Sequence, residues 1–186
     1  GIPGQILFYL GNPGGVLGNV AVAGAIAGVY WFLMLIGRFT SAFISGKVSS
    51  RTQLTVVTIV AIALLLVAIL MPETNTMNLK IDFFSIDAVV PTKVLFIILC
   101  GLCTSVMWGV IFNLATEGLG KYTAIASGAF MTMVCGFAIM VGIQGLVADW
   151  TGSYLTSYWV PLLCAAYILY YALIGSKNVN TDIPVD

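Results

Sequence analysis

Apolar residues run along this chain in five long stretches, at 20–44, 54–71, 94–115, 124–148 and 158–174, with a shorter one at 1–10. Crossing a hydrocarbon core of about 30 Å takes ~20 helical residues, and lipid tolerates only elements that satisfy their own backbone groups. The pattern therefore predicts five membrane-spanning helices and the last turns of another. Residues 11–15 (Gly-Asn-Pro-Gly-Gly) break the chain after the first stretch. Pro72 ends the stretch 54–71, which is almost purely aliphatic and reads as a lipid-facing helix. Pro161 falls near the start of the last stretch, where a missing N–H costs little. The longest connector, 73–92, is polar at first, and the alternation over 79–84 predicts a short extended segment on the surface. The polar end, 176–186, is predicted to be flexible.

Composition agrees with the pattern. The chain is 60% hydrophobic and 8% charged, where soluble domains carry about 25% charged residues. Its net charge is zero and it has no basic run, which argues against nucleic acid as a partner. The partner it requires is the lipid bilayer. The chain opens at Gly1 inside an apolar stretch, so it is expected to be a piece of a longer protein. Cys100 and Cys103 form a C-x-x-C, but there is no histidine and no second pair. They read as small packing residues, and no metal or cofactor is expected. With no paired carboxylates and no activated nucleophile, enzyme chemistry is not expected either.

Basic residues near the span ends orient the chain. Lys47, Arg51, Lys121 and Lys177 share one side, and Lys80 and Lys93 the other, diluted by Glu73, Asp82, Asp87 and Asp149. The first side is predicted to be cytoplasmic.

Residues 30–39 (Tyr-Trp-Phe-Leu-Met-Leu-Ile-Gly-Arg-Phe), 111–114 (Ile-Phe-Asn-Leu), 117–121 (Glu-Gly-Leu-Gly-Lys) and 145–149 (Gly-Leu-Val-Ala-Asp) resemble the fucose–proton symporter family. This is a branch of the major facilitator superfamily that includes glucose/galactose transporters of bacteroidetes. The resemblance implies an all-α membrane protein, the C-terminal six-helix bundle of a twelve-helix carrier. Residues 1–175 would run from the end of helix seven to helix twelve, and 176–186 would be a cytoplasmic tail. It further implies a bacterial inner-membrane protein that takes up a monosaccharide of the glucose, galactose or fucose class, with a proton as coupling ion. The family's coupling carboxylates would lie in the N-terminal half, and no Asp or Glu falls within a span of this chain. The chain departs from the family where many members carry Pro at the positions of Gly109 and Gly142. It also keeps only Gly46, Lys47 and Arg51 of a loop signature that normally includes Asp.

Alternating access requires a site near the midplane between two bundles. Trp108 follows Thr104 by one turn on the same face, and an indole there either offers a platform to a sugar or packs against a neighbour. Tyr30 and Trp31 point about 100° apart, so only one faces inward. Asn113 and Gln144 lie roughly 12 Å to either side of their helix centres; each reads equally as a helix–helix hydrogen bond or as a ligand or gate contact. Gln5 lines the cavity if the first stretch is the seventh helix. Arg38, the one strong charge well inside a span, either snorkels to the headgroups or closes an inner gate, the role the resemblance favours. Lys47, Arg51 and Lys121 read as topology determinants. Gly24 and Gly28 form a small-x-x-x-small face for close helix contact, while Gly136, Gly142 and Gly145 serve packing or bending. The reading from another class is a membrane scaffold or sensor without a transport cycle.

Overall fold

The computed structural model of the chain describes residues 1–13, 15–84 and 86–177. Five helical stretches among the described residues are long and apolar enough to cross a membrane: Val20–Ser45, Ser50–Leu70, Lys93–Thr116, Gly120–Thr151 and Thr156–Leu173. The expected spans and loops are therefore where the hydrophobic pattern put them. A shorter helix, α1 (Ile2–Gly11), precedes them. α2 (Val20–Ser45) starts on Asn19, whose side chain accepts from the Ala21 and Val22 amides at 3.0 and 3.3 Å. α3 (Ser50–Leu70) is capped by Ser49. Most of the predicted tail, 178–186, lies outside the described residues.

Of the extended segment expected over 79–84, only 79–81 are strand: the long connector forms an antiparallel hairpin, β1 (Thr76–Ile81) and β2 (Ile86–Pro91), and Asp82–Phe84 make a 3-10 turn between them. The register pairs Thr76 with Pro91 and Ile81 with Ile86. Leu79, Ile86 and Val90 turn inward to the core. Phe84, between the strands, packs on Phe32 of α2 with ring centroids 5.8 Å apart.

α4 (Lys93–Thr116) is the most buried span and packs along both α2 and α3. Helices in lipid gain little from hydrophobicity when they associate, so contact depends on close packing and hydrogen bonds. Here the approach is backbone to backbone. A Cβ on Gly37 of α2 would come within 2.7 Å of the Leu102 carbonyl oxygen, and one on Gly101 of α4 within 2.7 Å of the Tyr30 carbonyl oxygen. Two cross-links seal the contact: the Ser105 hydroxyl donates to the Met34 carbonyl at 2.6 Å, and the Tyr30 and Thr104 hydroxyls lie 2.9 Å apart. The small-x-x-x-small face at Gly24 and Gly28 makes no such approach. The nearest atom to a Cβ at Gly24 is 3.9 Å away, and Gly28 meets only the Phe84 ring.

α3 buries Leu54, Thr58, Ala61, Leu65 and Ala68, spaced four and three apart, against α4 and α7 (Trp159–Leu173). Its other face exposes Val56, Ile59, Val60, Val67 and Leu70, in keeping with a lipid-facing helix. The stretch expected as one helix over 124–148 is instead two, α5 (Thr123–Met133) and α6 (Cys135–Thr151), interrupted at Val134. The Thr132 hydroxyl takes the Ala129 carbonyl at 2.7 Å, competing with the helical ladder. Gly136 weakens the turn that follows. Around the break the amides of Val134 and Phe137 bond three residues back.

Contacts define two ends of the bundle. At the hairpin end, the Tyr9 hydroxyl donates to Glu73 Oε1 at 3.1 Å, and Lys93 Nζ lies 3.4 Å from the same oxygen. At the opposite, loop end, Arg51 donates through Nε to the Ala172 carbonyl at 3.0 Å and through Nη2 to that of Leu173 at 3.1 Å. A cation on the last carbonyls of α7 is well placed against the helix dipole.

The α2–α4 contact predicts a contrast among glycines. Gly37→Ala and Gly101→Ala should each cost about 1–3 kcal/mol by overpacking, read as a lower midpoint of thermal unfolding in detergent. Gly24→Ala should leave that midpoint unchanged. Equal losses at all three positions would refute the close-approach account.

Candidate functional site

The residues singled out in the sequence fall into two groups. Beside the α2–α4 contact, toward the loop end, an open recess of about 330 Å³ is lined by Arg38, Ser41 and Ser45 of α2 and by Ser105, Trp108 and Asn113 of α4. Arg38 directly follows Gly37, so the close approach of the two backbones sets the guanidinium beside α4. Arg38 and Asn113 are exposed, and among the described residues neither side chain has a partner. The Trp108 ring is 43% exposed and meets Phe130 of α5 edge-on, with centroids 5.5 Å apart. Phe130 in turn meets Phe112 at 5.4 Å. A cation, a carboxamide, hydroxyls and an indole on one open wall are groups suited to a polyol: hydrogen bonds for its rim and an aromatic surface for its C–H face.

Thr104 and Gln144 line a second space, an apolar cavity of about 300 Å³ walled by α3, α4, α6 and α7 together with the start of α1. Thr104 is already engaged. Its hydroxyl donates to the Cys100 carbonyl at 3.1 Å and so accepts from Tyr30. Gln144 is buried, and its Nε2 lies 3.5 Å from Ser157 Oγ. Cys100 and Cys164 also face this cavity, and all four cysteines are free thiols.

Gln5 lines neither space. It is buried on α1, and its Oε1 has no hydrogen-bond partner among the described residues. Such an orphan calls for a ligand or a water, since unpaired polar groups are costly inside proteins. Of the adjacent aromatics on α2, Tyr30 is buried and Trp31 is 59% exposed, so one faces inward, as the helical spacing predicts. Trp31 lies seven residues before Arg38, on the same helical face. At the loop end Lys47 is exposed in the connector between α2 and α3. Lys121 Nζ sits 5.6 Å from the centre of the Tyr122 ring. In the same connector Gly118 and Gly120 adopt φ of 78° and 47°, which explains the glycines of the 117–121 motif. Sequence reasoning missed the Tyr9–Glu73–Lys93 junction and the Tyr158 hydroxyl, which donates to the Ile2 carbonyl at 3.0 Å. The one available signal was a lysine at the very start of an apolar stretch.

Comparison with known proteins finds relatives over most of the chain. It is 34% identical over 153 residues to a putative glucose/galactose transporter of Helicobacter pylori strain J99, covering 80% of this chain and 33% of that protein. A glucose/galactose transporter of Brucella abortus is 45% identical over 78 residues, 42% of this chain and 19% of the relative. The L-fucose-proton symporter of Escherichia coli K12 is 25% identical over 145 residues, 78% of this chain and 29% of the relative. The chain thus spans about a third of the length of the Helicobacter protein. These relatives are transporters by name, not enzymes. No family model and no solved structure matches the chain.

The orphaned amide gives a prediction about stability. Gln5→Met keeps the volume and removes an acceptor whose burial without a partner costs about 1–3 kcal/mol. The variant should unfold at the same temperature as the unmodified protein or higher. A marked loss of stability would show that the Gln5 amide is bonded within the fold.

Proposed function

From a chain that is a relative of glucose/galactose transporters and of an L-fucose–proton symporter within the major facilitator superfamily, we propose the C-terminal half of a monosaccharide carrier. The intact protein binds a sugar of the glucose, galactose or fucose class between two helix bundles and exposes it alternately to each side. Residues 1–175 form one bundle, from the end of helix seven to helix twelve, and 176–186 form the tail. An N-terminal half supplies the facing wall and the carboxylates that couple sugar to protons. The protein lies in a bacterial inner membrane. Its loop end and C-terminus are cytoplasmic, on the side where Lys47, Arg51 and Lys121 outnumber Lys80 and Lys93.

One observation carries this reading: Arg38, Trp108 and Asn113 stand together on an open wall within the spans α2 and α4. Polar groups in the membrane are expensive and face protein or a watery cavity. In this assignment Trp108 is the platform for the sugar ring and Asn113 holds its hydroxyls, while Gln5, buried on α1, lies away from this wall. Trp31 extends the same α2 face toward the hairpin end. Thr104 acts through Tyr30 to keep α2 and α4 in register, and Gln144, in the separate apolar cavity, ties α6 to the turn before α7. Arg38 belongs to an inner gate with Lys47, Arg51 and Lys121 around it. The names of the relatives do not favour a scaffold or sensor.

Vesicles holding the full-length protein should accumulate labelled glucose, galactose or fucose under an inward proton gradient. Losing a stacked aromatic worth about 0.5–1.5 kcal/mol, Trp108→Ala should raise KM roughly three- to tenfold. No uptake of any of the three sugars would defeat the carrier reading, and unchanged kinetics in Trp108→Ala would remove that residue from the site.

A further inference from the structure

At the hairpin end the chain reversals after α1, α3 and α6 meet around a second open recess, of about 710 Å³. Its wall differs from that of the apolar cavity lined by Thr104 and Gln144. Tyr9, Asn12, Glu73, Ser153 and Tyr154 line it, bringing phenols, a carboxamide, a carboxylate and a hydroxyl to one place. The groups are held. Asn12 Nδ2 donates to the Tyr154 hydroxyl at 2.7 Å, and the Tyr154 ring stacks on Phe8 with centroids 6.2 Å apart and planes 19° from parallel. Glu73 Oε1 takes the Tyr9 hydroxyl at 3.1 Å and Lys93 at 3.4 Å, and the Lys93 side chain is only 3% exposed.

What remains unspent is a hydrogen-bonding set. Glu73 Oε2 and Asn12 Oδ1 have no partner among the described residues, and the Tyr154 hydroxyl, already an acceptor, keeps its proton. Two acceptors and a donor beside aromatic rings match a neutral polyol. The buried ammonium behind Glu73 offsets the carboxylate, so the site does not call for a cationic ligand. We propose that this recess is an outer subsite for a neutral monosaccharide, separate from the wall of Arg38, Trp108 and Asn113. This rests on the reading of the protein as a sugar carrier and places a second sugar position at its external mouth.

The test uses the full-length protein in right-side-out vesicles, with Ser153→Cys as a reporter on the recess wall and a membrane-impermeant maleimide. Uptake of the same sugars is measured alongside. Glucose, galactose or fucose at ten times its dissociation constant leaves roughly one site in eleven free, so labelling should slow about tenfold. Protection should persist when Trp108→Ala is added. Tyr154→Phe, which keeps the ring stack and removes one hydroxyl, should raise the half-protecting concentration about three- to tenfold, and Asn12→Ala should do the same. Uptake without protection overturns the subsite and leaves the carrier standing. Protection that is lost with Trp108→Ala and kept with Tyr154→Phe also overturns it, because occupancy of the wall of Arg38, Trp108 and Asn113 would then be acting at a distance. Absence of both uptake and protection overturns the two proposals together.

Discussion

The contact between the backbones of α2 and α4 is the constraint on which the rest of the bundle depends. In lipid, two apolar helices have little reason to prefer each other to acyl chains. Gly37 and Gly101 supply one, by letting each helix seat against a carbonyl of the other at a distance no side chain would permit. The Ser105–Met34 and Tyr30–Thr104 bonds then fix rotation about the helix axes. Once α4 is set, α3 lies along its other flank, and α7 lies along α3. α1 closes the core through Ile6, Tyr9 and Leu10.

That same contact decides what is displayed. Rotating α2 so that Gly37 and Tyr30 face inward turns Trp31 and Arg38 outward, because successive residues on a helix point about 100° apart. On α4, Gly101 and Ser105 face the contact, and Trp108 and Asn113 are left beside it. The candidate wall is therefore the remainder of a packing solution. Its polar members are exposed because the seam next to them is already filled by Gly37, Gly101 and the paired hydroxyl and carbonyl groups of the two helices.

Spans, turns and the inward choice between Tyr30 and Trp31 were legible because hydropathy and helical period act within one segment. What was not legible depends on pairs far apart in the chain. Gly24 and Gly28 carry the spacing of a packing motif yet face only Leu7 and Phe84 across ordinary distances, while isolated glycines on different helices make the close contact. The fate of Thr104 depends on Tyr30, 74 positions away, and that of Lys93 on Glu73. The hairpin showed one arm, because the second arm, 86–91, is short and apolar enough to merge with the span after it. The interruption at Val134 left no mark beyond Gly136 and a threonine, residues equally common in unbroken membrane helices.

That interruption has a mechanical consequence. The two pieces of the fourth span lean on different neighbours: α5 touches α4 through Phe130, whereas α6 meets the turn before α7 through Gln144 and Ser157. Val134 keeps right-handed helical dihedrals, φ −59° and ψ −25°, so the rod is loosened at this joint rather than cut. Bonds that reach back three residues instead of four make that joint the softest point of the span, where each half can follow the neighbour it leans on.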